Sequence, residues 1–355
     1  MRLARAAALI LLVLLLDGCY MTRTARGELH VLCNRQSIED RLADEHPLDP
    51  ALRRKLELVL QVRKFAFEQI GLDESDSFTT FFDTEGGPAV WNVSAARSDQ
   101  LLPITWSFPI VGVVPYLGFF DRAEARAQLV ELKAQGLDSL ALPSPAYSTL
   151  GWFDDPVFTS LLREDEARIA EVVIHELTHN TVWIPGEVSL NENLATFVGR
   201  EGARQFFEAR GGPRDPALVE AEQRKADDEV FQAAMNDLHD ELSRLYAASG
   251  PRARKLELKA AAIARFRRRY AREVRPRLHD DRQDWVLDPR LPLNNALILM
   301  FRRYHGEGDL FAALHDRCGR DLRQTVQALR SIADASDPRA DLARRARALA
   351  KGPPR

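Results

Sequence analysis

The stretch His175-Glu176-Leu177-Thr178-His179 constrains this chain more than any other feature. Its two histidines are four residues apart, so in a helix their imidazoles lie one turn apart on the same face and can bind one metal ion. Glu176 lies about 100° around the helix from His175, where it reaches a water held by the metal rather than the metal. This pattern predicts a hydrolytic zinc site. The alternative is two partly buried histidines that make ordinary hydrogen bonds.

The residues around the motif favour a helix. Apolar side chains recur at spacings of three and four, as a half-buried helix requires: Ile169, Val172, Val173 and Leu177. We expect the start signal at residues 154–156 (Asp-Asp-Pro) and the stop at Pro185-Gly186. A single metal ion can therefore be held from one face of this helix.

A catalytic zinc ion usually has three protein ligands and one open position for water. The candidates downstream are Glu187, Glu192 and Glu201, and Glu192 is preferred because it opens a second amphipathic segment that the Pro185-Gly186 loop can turn back. Glu187 and Glu201 would then support the site or face solvent. Ser189 and Glu192 also match a capping box, in which the glutamate would only bond the helix start.

The motif and its surroundings resemble a known family. His175 to His179 followed by Asn191-Glu192 resembles the gluzincin arrangement, and residues 146–156 and 191–198 resemble the bacterial predicted-aminopeptidase lipoproteins. Residues 90–93 and 108–112 extend this resemblance, which runs from about residue 20 to 335. The resemblance implies one Zn²⁺ held by His175, His179 and Glu192, with Glu176 as general base and a peptide as substrate.

One element of well-known gluzincin aminopeptidases is missing from the sequence. It is a Gly-x-Met-Glu-Asn-type strand whose glutamate holds the free amine of the substrate. Asp154, Asp155 and Glu187 are the acids that remain as candidates for this role. The sequence therefore predicts hydrolysis more strongly than it predicts removal of N-terminal residues.

Other side chains are candidates for the supporting roles. A tetrahedral oxyanion needs a hydrogen-bond donor besides the metal, and the candidates are Tyr147, Tyr304 and His305. Asn191 or Asp154 are candidates to orient a ligand imidazole through its second ring nitrogen. The segment around Tyr147 either lines the substrate or packs in the core, and the sequence leaves both readings open.

The N-terminus has the features of a secretory signal. Two arginines among the first five residues precede an apolar run over residues 6–16, which is too short to span a bilayer. Asp17-Gly18-Cys19 resembles the end of a bacterial lipobox, so we expect a lipid anchor at Cys19. By analogy, Tyr20 favours the outer membrane, facing the periplasm of a Gram-negative-type cell envelope. The alternative is ordinary secretion after cleavage nearby.

The charge of the chain gives no reason to expect nucleic acid as a partner. Its formal net charge is −3, and the arginine runs at residues 267–269 and 344–345 are interspersed with acids. Such runs are typical of solvated helix faces. The expected partners are therefore a peptide substrate and, through the anchor, a membrane.

The predicted fold class is α+β: a gluzincin-like zinc peptidase core, in which a short mixed sheet packs on the motif helix, plus a large helical C-terminal part. Local signals predict a helix from Pro50 to Ile70 and three or four strands within residues 78–120. Helices over 121–135, 215–248 and 253–274 and a strand at 140–142 follow, with an edge strand at 146–148. The predicted segments are a signal peptide (1–18), an N-terminal helical segment (19–75), the catalytic core (76–203), a helical domain (204–335) and a C-terminal helix and tail (336–355).

Together these features predict a zinc-dependent peptide hydrolase, with an aminopeptidase suggested by the resemblance. The alternative is a non-catalytic zinc-containing lipoprotein that captures peptides or cell-wall fragments. Glu176 argues against this alternative, because a binding scaffold has no need of a general base.

Overall fold

The computed structural model describes residues 20–46, 48–108, 112–144, 146, 154–305 and 308–347, except for the side chains of 304 and 305. Three predicted site residues fall outside this description. Cys19 and Tyr147 lie outside the described residues, and so does the side chain of Tyr304. Their roles stay predictions.

The described chain is mainly helical, with short strands concentrated in its first half. The helices are α1 (Tyr20–Asn34), α2 (Ile38–Ala43), α3 (Pro50–Phe65), α4 (Arg122–Ala134), α5 (Glu166–Thr181), α6 (Val188–Gly211), α7 (Pro216–Ala247), α8 (Arg252–Arg269), α9 (Asn295–His305), α10 (Gly308–Arg317), α11 (Leu322–Ala333) and α12 (Pro338–Arg347). The strands are β1 (Gln36–Ser37), β2 (Thr80–Phe82), β3 (Val90–Arg97), β4 (Trp106–Phe108), β5 (Gly112–Val114), β6 (Leu117–Phe119), β7 (Leu137–Ser144) and β8 (Val157–Phe158). An α+β composition is therefore confirmed.

Local signals predicted the position of α3 correctly. Asp49 caps α3 by accepting hydrogen bonds from the backbone at its start, and Pro50 occupies the first turn. The helix continues as a π-helical turn, Ala66–Ile70, and Gly71 ends it with a φ of 81°. This left-handed conformation favours glycine.

The strands form two three-stranded sheets and a hairpin. The antiparallel sheet has the order β6-β3-β7, and β3 pairs with β7 from Val90 opposite Ser144 to Arg97 opposite Leu137. The mixed sheet has the order β1-β2-β8, with β2 parallel to β8, while β4 and β5 form the hairpin. Residues 78–120 thus hold five strands rather than three or four, and the strand predicted at 140–142 is the middle of β7. The edge strand predicted at 146–148 falls mostly outside the described residues.

The largest core lies around α5, the helix that carries the HExxH motif. Buried residues of α3, α6, α10, α11 and α12 contribute to it, as do Phe81 and Val157 of the mixed sheet. Strands β2 and β8 of the mixed sheet thus share a core with the motif helix. The larger antiparallel sheet packs instead against α4 and α9, because the faces of α5 are mostly covered by other helices.

A second core joins α7, α8 and α9 to the antiparallel sheet through Ala96 and Leu140. The predicted helices at 215–248 and 253–274 are confirmed as α7 and as α8 with its π-helical extension, Tyr270–Val274. These two helices pack on each other and on α9. They form a packing arm that holds α9 in place.

The division into segments stays a prediction, and one of its boundaries lies within a helix. The boundary expected between residues 203 and 204 falls inside α6, and α10 to α12 share the core of α3 and α5. Among the described residues, no helix has both the length and the apolar character needed to cross a bilayer.

Candidate metal centre

The motif helix begins later than the sequence suggested. The N-cap of α5 is Asp165, whose Oδ1 accepts a hydrogen bond from the backbone N–H of Arg168 at 2.7 Å. The predicted start at residues 154–156 is wrong, because β8 and a short 3₁₀ turn occupy the intervening chain. Since α5 ends at Thr181, the motif fills its last two turns and its histidines lie near the loop to α6.

That loop is closed by Asn191. Its Oδ1 accepts from the backbone N–H of Ile184 at 2.9 Å, and its Nδ2 donates to the carbonyl of the same residue at 2.8 Å. The expectation that Asn191 orients an imidazole is therefore wrong, because its amide is fully used by the turn. Asn191 instead fixes the angle at which α6 returns along α5.

The capping-box alternative for Glu192 is also wrong. Helix α6 begins at Val188, with Glu187 in the N-cap position, so Ser189 lies inside the helix. The Ser189 hydroxyl contacts the carbonyl of Arg303 at 3.5 Å. Glu192 is thus free of the helix start, and its carboxylate faces α5.

Three donor atoms converge between the two helices. The Nε2 atoms of His175 and His179 are 3.2 Å apart, and Oε2 of Glu192 is 3.4 Å from the first and 3.8 Å from the second. His179 and Glu192 are buried, whereas His175 is partly exposed. The cluster is therefore enclosed on the side of α6 and accessible from the side of His175.

The donor set fits a zinc ion. At zinc–ligand distances of about 2.0–2.2 Å, tetrahedral geometry separates ligand atoms by about 3.3–3.6 Å, and the observed distances bracket this range. Two imidazole nitrogens and a carboxylate are ligands that zinc accepts. Nε2 of His179 faces the other two donors and is therefore the nitrogen placed for a ligand role. Nδ1 of the same ring is buried and has no hydrogen-bond partner among the described atoms.

The charges of the cluster point the same way. Burial raises the pKa of Glu192, but hydrogen bonds from His175 and His179 lower it more, so the pKa falls well below its usual range. Burial lowers the pKa of His179, whereas the hydrogen bond to Glu192 raises it, and the net direction is upward. Both shifts favour positive charge beside the ionised carboxylate of Glu192, and a divalent cation would supply such a charge.

Glu176 lies beside these donors with its carboxylate unused. Its ligand atom and those of His175 and His179 all lie within 4.8 Å of one another, and this group can bind a metal ion. Glu176 is half-buried and makes no hydrogen bond or ion pair with the described residues. A free carboxylate in this place can accept a proton from a water molecule in the site.

Two glycines allow α6 to approach α5 this closely. A Cβ at Gly199 would lie 2.7 Å from the carbonyl oxygen of Glu171 and 3.2 Å from Cβ of His175. A Cβ at Gly202 would lie 3.1 Å from Cγ2 and Cδ1 of Ile174 in α5, and 2.7 Å from Cδ1 of Ile70. Because Gly199 follows Glu192 by two turns on the same face, its close approach to His175 limits the distance between the side chains of His175 and Glu192.

A network of ion pairs lies behind α5, one turn before His175. Glu171 is buried and lies 3.1 Å from Arg168, 3.2 Å from Arg200 and 4.0 Å from Arg224. Burial raises the pKa of Glu171, but these three arginines lower it more, to about 2. Arg200 of α6 and Arg224 of α7 thus attach both helices to the motif helix by charge.

The accessible side carries two residues that sequence reasoning missed, Tyr116 and Arg303. The guanidinium of Arg303 lies over the Tyr116 ring, 5.3 Å from its centroid. Burial raises the pKa of Tyr116, and the carboxylates of Glu192 and Glu176 raise it further. No sequence signal marked these residues, because Tyr116 lies between two short strands and Arg303 is one arginine of many.

The remaining acids named from the sequence do not join the donor cluster. Glu187 accepts a hydrogen bond from Arg339 at 2.7 Å, and Glu201 is bound by Arg204 and Gln205. Asp154 is exposed and makes no hydrogen bond to an imidazole. Asp155 is buried and contributes to the raised pKa of His179, so it is the one of this group whose charge reaches the site.

A family model described as "Putative aminopeptidase" matches residues 19–344, and the chain belongs to this family. The aminopeptidase resemblance seen over residues 20–335 is thereby confirmed. The family description indicates a peptide hydrolase and a peptide substrate. Neither the curated proteins nor the solved structures gave a match to this chain.

Proposed function

We propose that this protein is a zinc-dependent aminopeptidase, lipid-anchored in a bacterial cell envelope. The observation that carries the proposal is the convergence of the two Nε2 atoms of the motif with Oε2 of Glu192. In this proposal His175, His179 and Glu192 hold one zinc ion, and Glu176 is the general base. Membership of the aminopeptidase family supports the peptide substrate.

The mechanism assigns one task to each group. A bound zinc ion would supply Lewis acidity, polarising the scissile carbonyl and lowering the pKa of water from about 15.7 toward 7. Glu176 accepts the proton of the attacking water and then delivers it to the leaving amine. Its carboxylate suits both steps because no described residue competes for it. Tyr147 and Tyr304 remain candidates for the oxyanion donor.

The anchor is proposed at Cys19, after removal of residues 1–18. The residue after the proposed anchor is already part of the folded chain. Tyr20 already belongs to α1, its hydroxyl bonds Gly118 at 3.1 Å, and its ring packs on Phe108 and Phe119. An acyl chain on Cys19 would therefore hold the enzyme body directly at the membrane surface, with no flexible linker. The proposed location is the periplasmic face of the outer membrane.

The test combines metal analysis with peptide profiling of residues 19–355. We expect one zinc per chain and release of single residues from free N-termini in a peptide library followed by mass spectrometry. Removal of the metal with a chelator should abolish cleavage, and zinc should restore it. Zinc without cleavage of any peptide would favour the non-catalytic binding alternative, and internal cleavage would replace the aminopeptidase by an endopeptidase.

Substitution of the base separates catalysis from metal binding. Glu176→Gln should retain zinc and lose roughly 10³-fold or more in kcat, because proton transfer is removed while the ligands stay. The matched control is Glu166→Gln on the same helix, whose side chain pairs with Arg210 away from the site. Equal turnover in wild type and Glu176→Gln would refute the assignment of the base.

A further inference from the structure

Arg303 is buried, and none of the residues that the structure describes supplies it with an anionic partner. Its exposed fraction is 8%, and within the described part of the chain its guanidinium makes neither a hydrogen bond nor an ion pair. The ring of Tyr116 is the group it lies against, at 5.3 Å. A buried charge without a counter-ion is unfavourable, so this arrangement requires an explanation.

Arg224 shows how the same chain treats another buried arginine. Its exposed fraction is 7%, and its guanidinium reaches the carboxylates of Asp165, Glu171 and Glu220. The two arginines are equally buried and differ in whether the fold supplies an anion. For Arg303 the anion must come from outside the described fold.

The position of Arg303 is beside the metal centre. Its carbonyl accepts a hydrogen bond at 2.6 Å from Nδ2 of Asn193, the residue after Glu192 in α6. This bond fixes α9 against the turn of α6 that carries the ligand. Tyr116, whose ring lies against the guanidinium, is within the electrostatic influence of Glu192 and Glu176.

Tyr116 adds a hydrogen-bond donor at the same place. A tyrosine phenol is protonated at neutral pH, and the hydroxyl of Tyr116 makes no hydrogen bond to the residues that the structure describes. One anion can therefore receive N–H donors from the guanidinium and an O–H donor from the phenol.

We propose that Arg303 and Tyr116 form a carboxylate-binding subsite of the peptide site, with the guanidinium pairing with a substrate carboxylate and the phenol donating a hydrogen bond to it. The inference rests on the proposed peptidase function and deepens it by naming the substrate class, peptides that carry a carboxylate close to the scissile bond. The planar guanidinium suits a carboxylate in two-point contact.

The carboxylate has two sources in peptides, the C-terminus of a dipeptide and an acidic side chain after the scissile bond. Three probes distinguish them, each built on the N-terminal residue that peptide profiling shows to be released fastest. The probes are the dipeptide with alanine in second position, its C-terminal amide, and the amide with aspartate in second position. We would measure kcat and KM for each with wild type, Arg303→Met, Arg303→Lys and Arg302→Met.

Wild type should prefer a carboxylate-bearing probe over the alanine amide by about 10- to 100-fold in kcat/KM, since hydrogen bonds to charged groups have this effect. The preferred probe identifies the source. Arg303→Met should bring the ratio close to one, and Arg303→Lys should restore part of it. Arg302→Met removes the same charge from the exposed neighbour on α9 and should keep the wild-type ratio.

Binding supplies a readout that does not depend on turnover. Calorimetry of the three probes with Glu176→Gln, alone and combined with Arg303→Met, should show the same carboxylate preference and its loss. A wild type that cleaves all three probes equally well overturns the subsite and leaves the peptidase intact. An unchanged preference in Arg303→Met also overturns it, and a protein that neither cleaves nor binds any probe overturns both proposals.

Discussion

The two sides of the α5–α6 pair treat charge in opposite ways. On the rear side, Glu171 is surrounded by arginines that are themselves paired, and Gly199 brings the two backbones into contact. On the accessible side, Glu176 and Arg303 have no charged partner among the described residues. The rear therefore fixes the distance between the two helices, and in our proposal the front keeps its charges available for a substrate.

This difference has a physical basis. Removing one partner of a buried ion pair is strongly destabilising because the other charge stays behind. A site must be held rigidly by its supporting groups while its reactive groups stay unused. Substitutions on the rear should therefore change stability, and substitutions on the front should change activity.

The largest effect on stability is expected at Arg224. Arg224→Met takes one guanidinium from the half-buried Asp165 and the buried Glu171 and should lower the free energy of unfolding by about 3 kcal/mol, the lower end for a broken buried pair, because Arg168 and Arg200 remain beside Glu171. Urea unfolding at neutral pH measures it. Arg244→Met, an exposed substitution on the same helix, should stay within about 0.5 kcal/mol. Equal losses in the two variants would contradict the importance of the rear network.

The pH dependence of stability tests Glu171 itself. Its pKa is about 2 in the folded protein and about 4.3 unfolded, so its ionised form stabilises the fold above pH 4.3. This contribution, roughly 3 kcal/mol, is lost as the pH falls from about 4.3 toward 2. At pH 7 the free energy of unfolding of wild type should exceed that of Glu171→Gln by this amount. The difference should shrink as the pH falls from about 4.3 toward 2. A difference that is constant with pH would show that the charge of Glu171 is not responsible.

The glycine contact should give a smaller effect with a clear control. Gly199→Ala places a Cβ 2.7 Å from a backbone oxygen, so the helices must separate. This overpacking should cost about 1–3 kcal/mol of stability, against about 1 kcal/mol gained in helix propensity. Gly202→Ala meets side-chain atoms of Ile70 and Ile174 rather than backbone, and these can shift slightly, so its loss of stability should be smaller. Zinc affinity, measured by competition with a chelator, should fall in Gly199→Ala only. A similar affinity in both variants would separate the contact from the metal site.

The sequence predicted what local periodicity controls. The four-residue spacing of His175 and His179 puts both imidazoles on one face of any helix, and Asp49-Pro50 and Gly71 mark the ends of a helix by their own backbone preferences. The start of α5 was misplaced because residues 154–156 and Asp165 give similar signals, and only the intervening strand β8 excludes the first.

What the sequence could not show depends on residues that are distant in the chain. The pairing of β3 with β7, and the meeting of Tyr116 with Arg303, are set by tertiary packing. The close approach of α5 and α6 did have a sequence signal. Gly199 and Gly202 are two glycines three residues apart inside a helical pattern, and such a pair indicates that another backbone lies close. The position of Glu192 in the sequence and the family resemblance made it a candidate ligand. That its carboxylate faces both imidazoles depends on the angle at which α6 returns along α5, which Asn191 fixes.

The smallest effect on stability is expected at Arg303, and it sharpens the comparison most. Arg303→Met removes a buried charge that no described carboxylate balances and keeps an apolar side chain against Tyr116. The free energy of unfolding should therefore stay within about 1 kcal/mol of wild type or rise, in contrast to Arg224→Met at nearly the same burial. Urea unfolding of both variants in one buffer makes the measurement. A loss at Arg303 as large as that at Arg224 would mean that the guanidinium supports the fold, and the front of the helix pair would then resemble the rear.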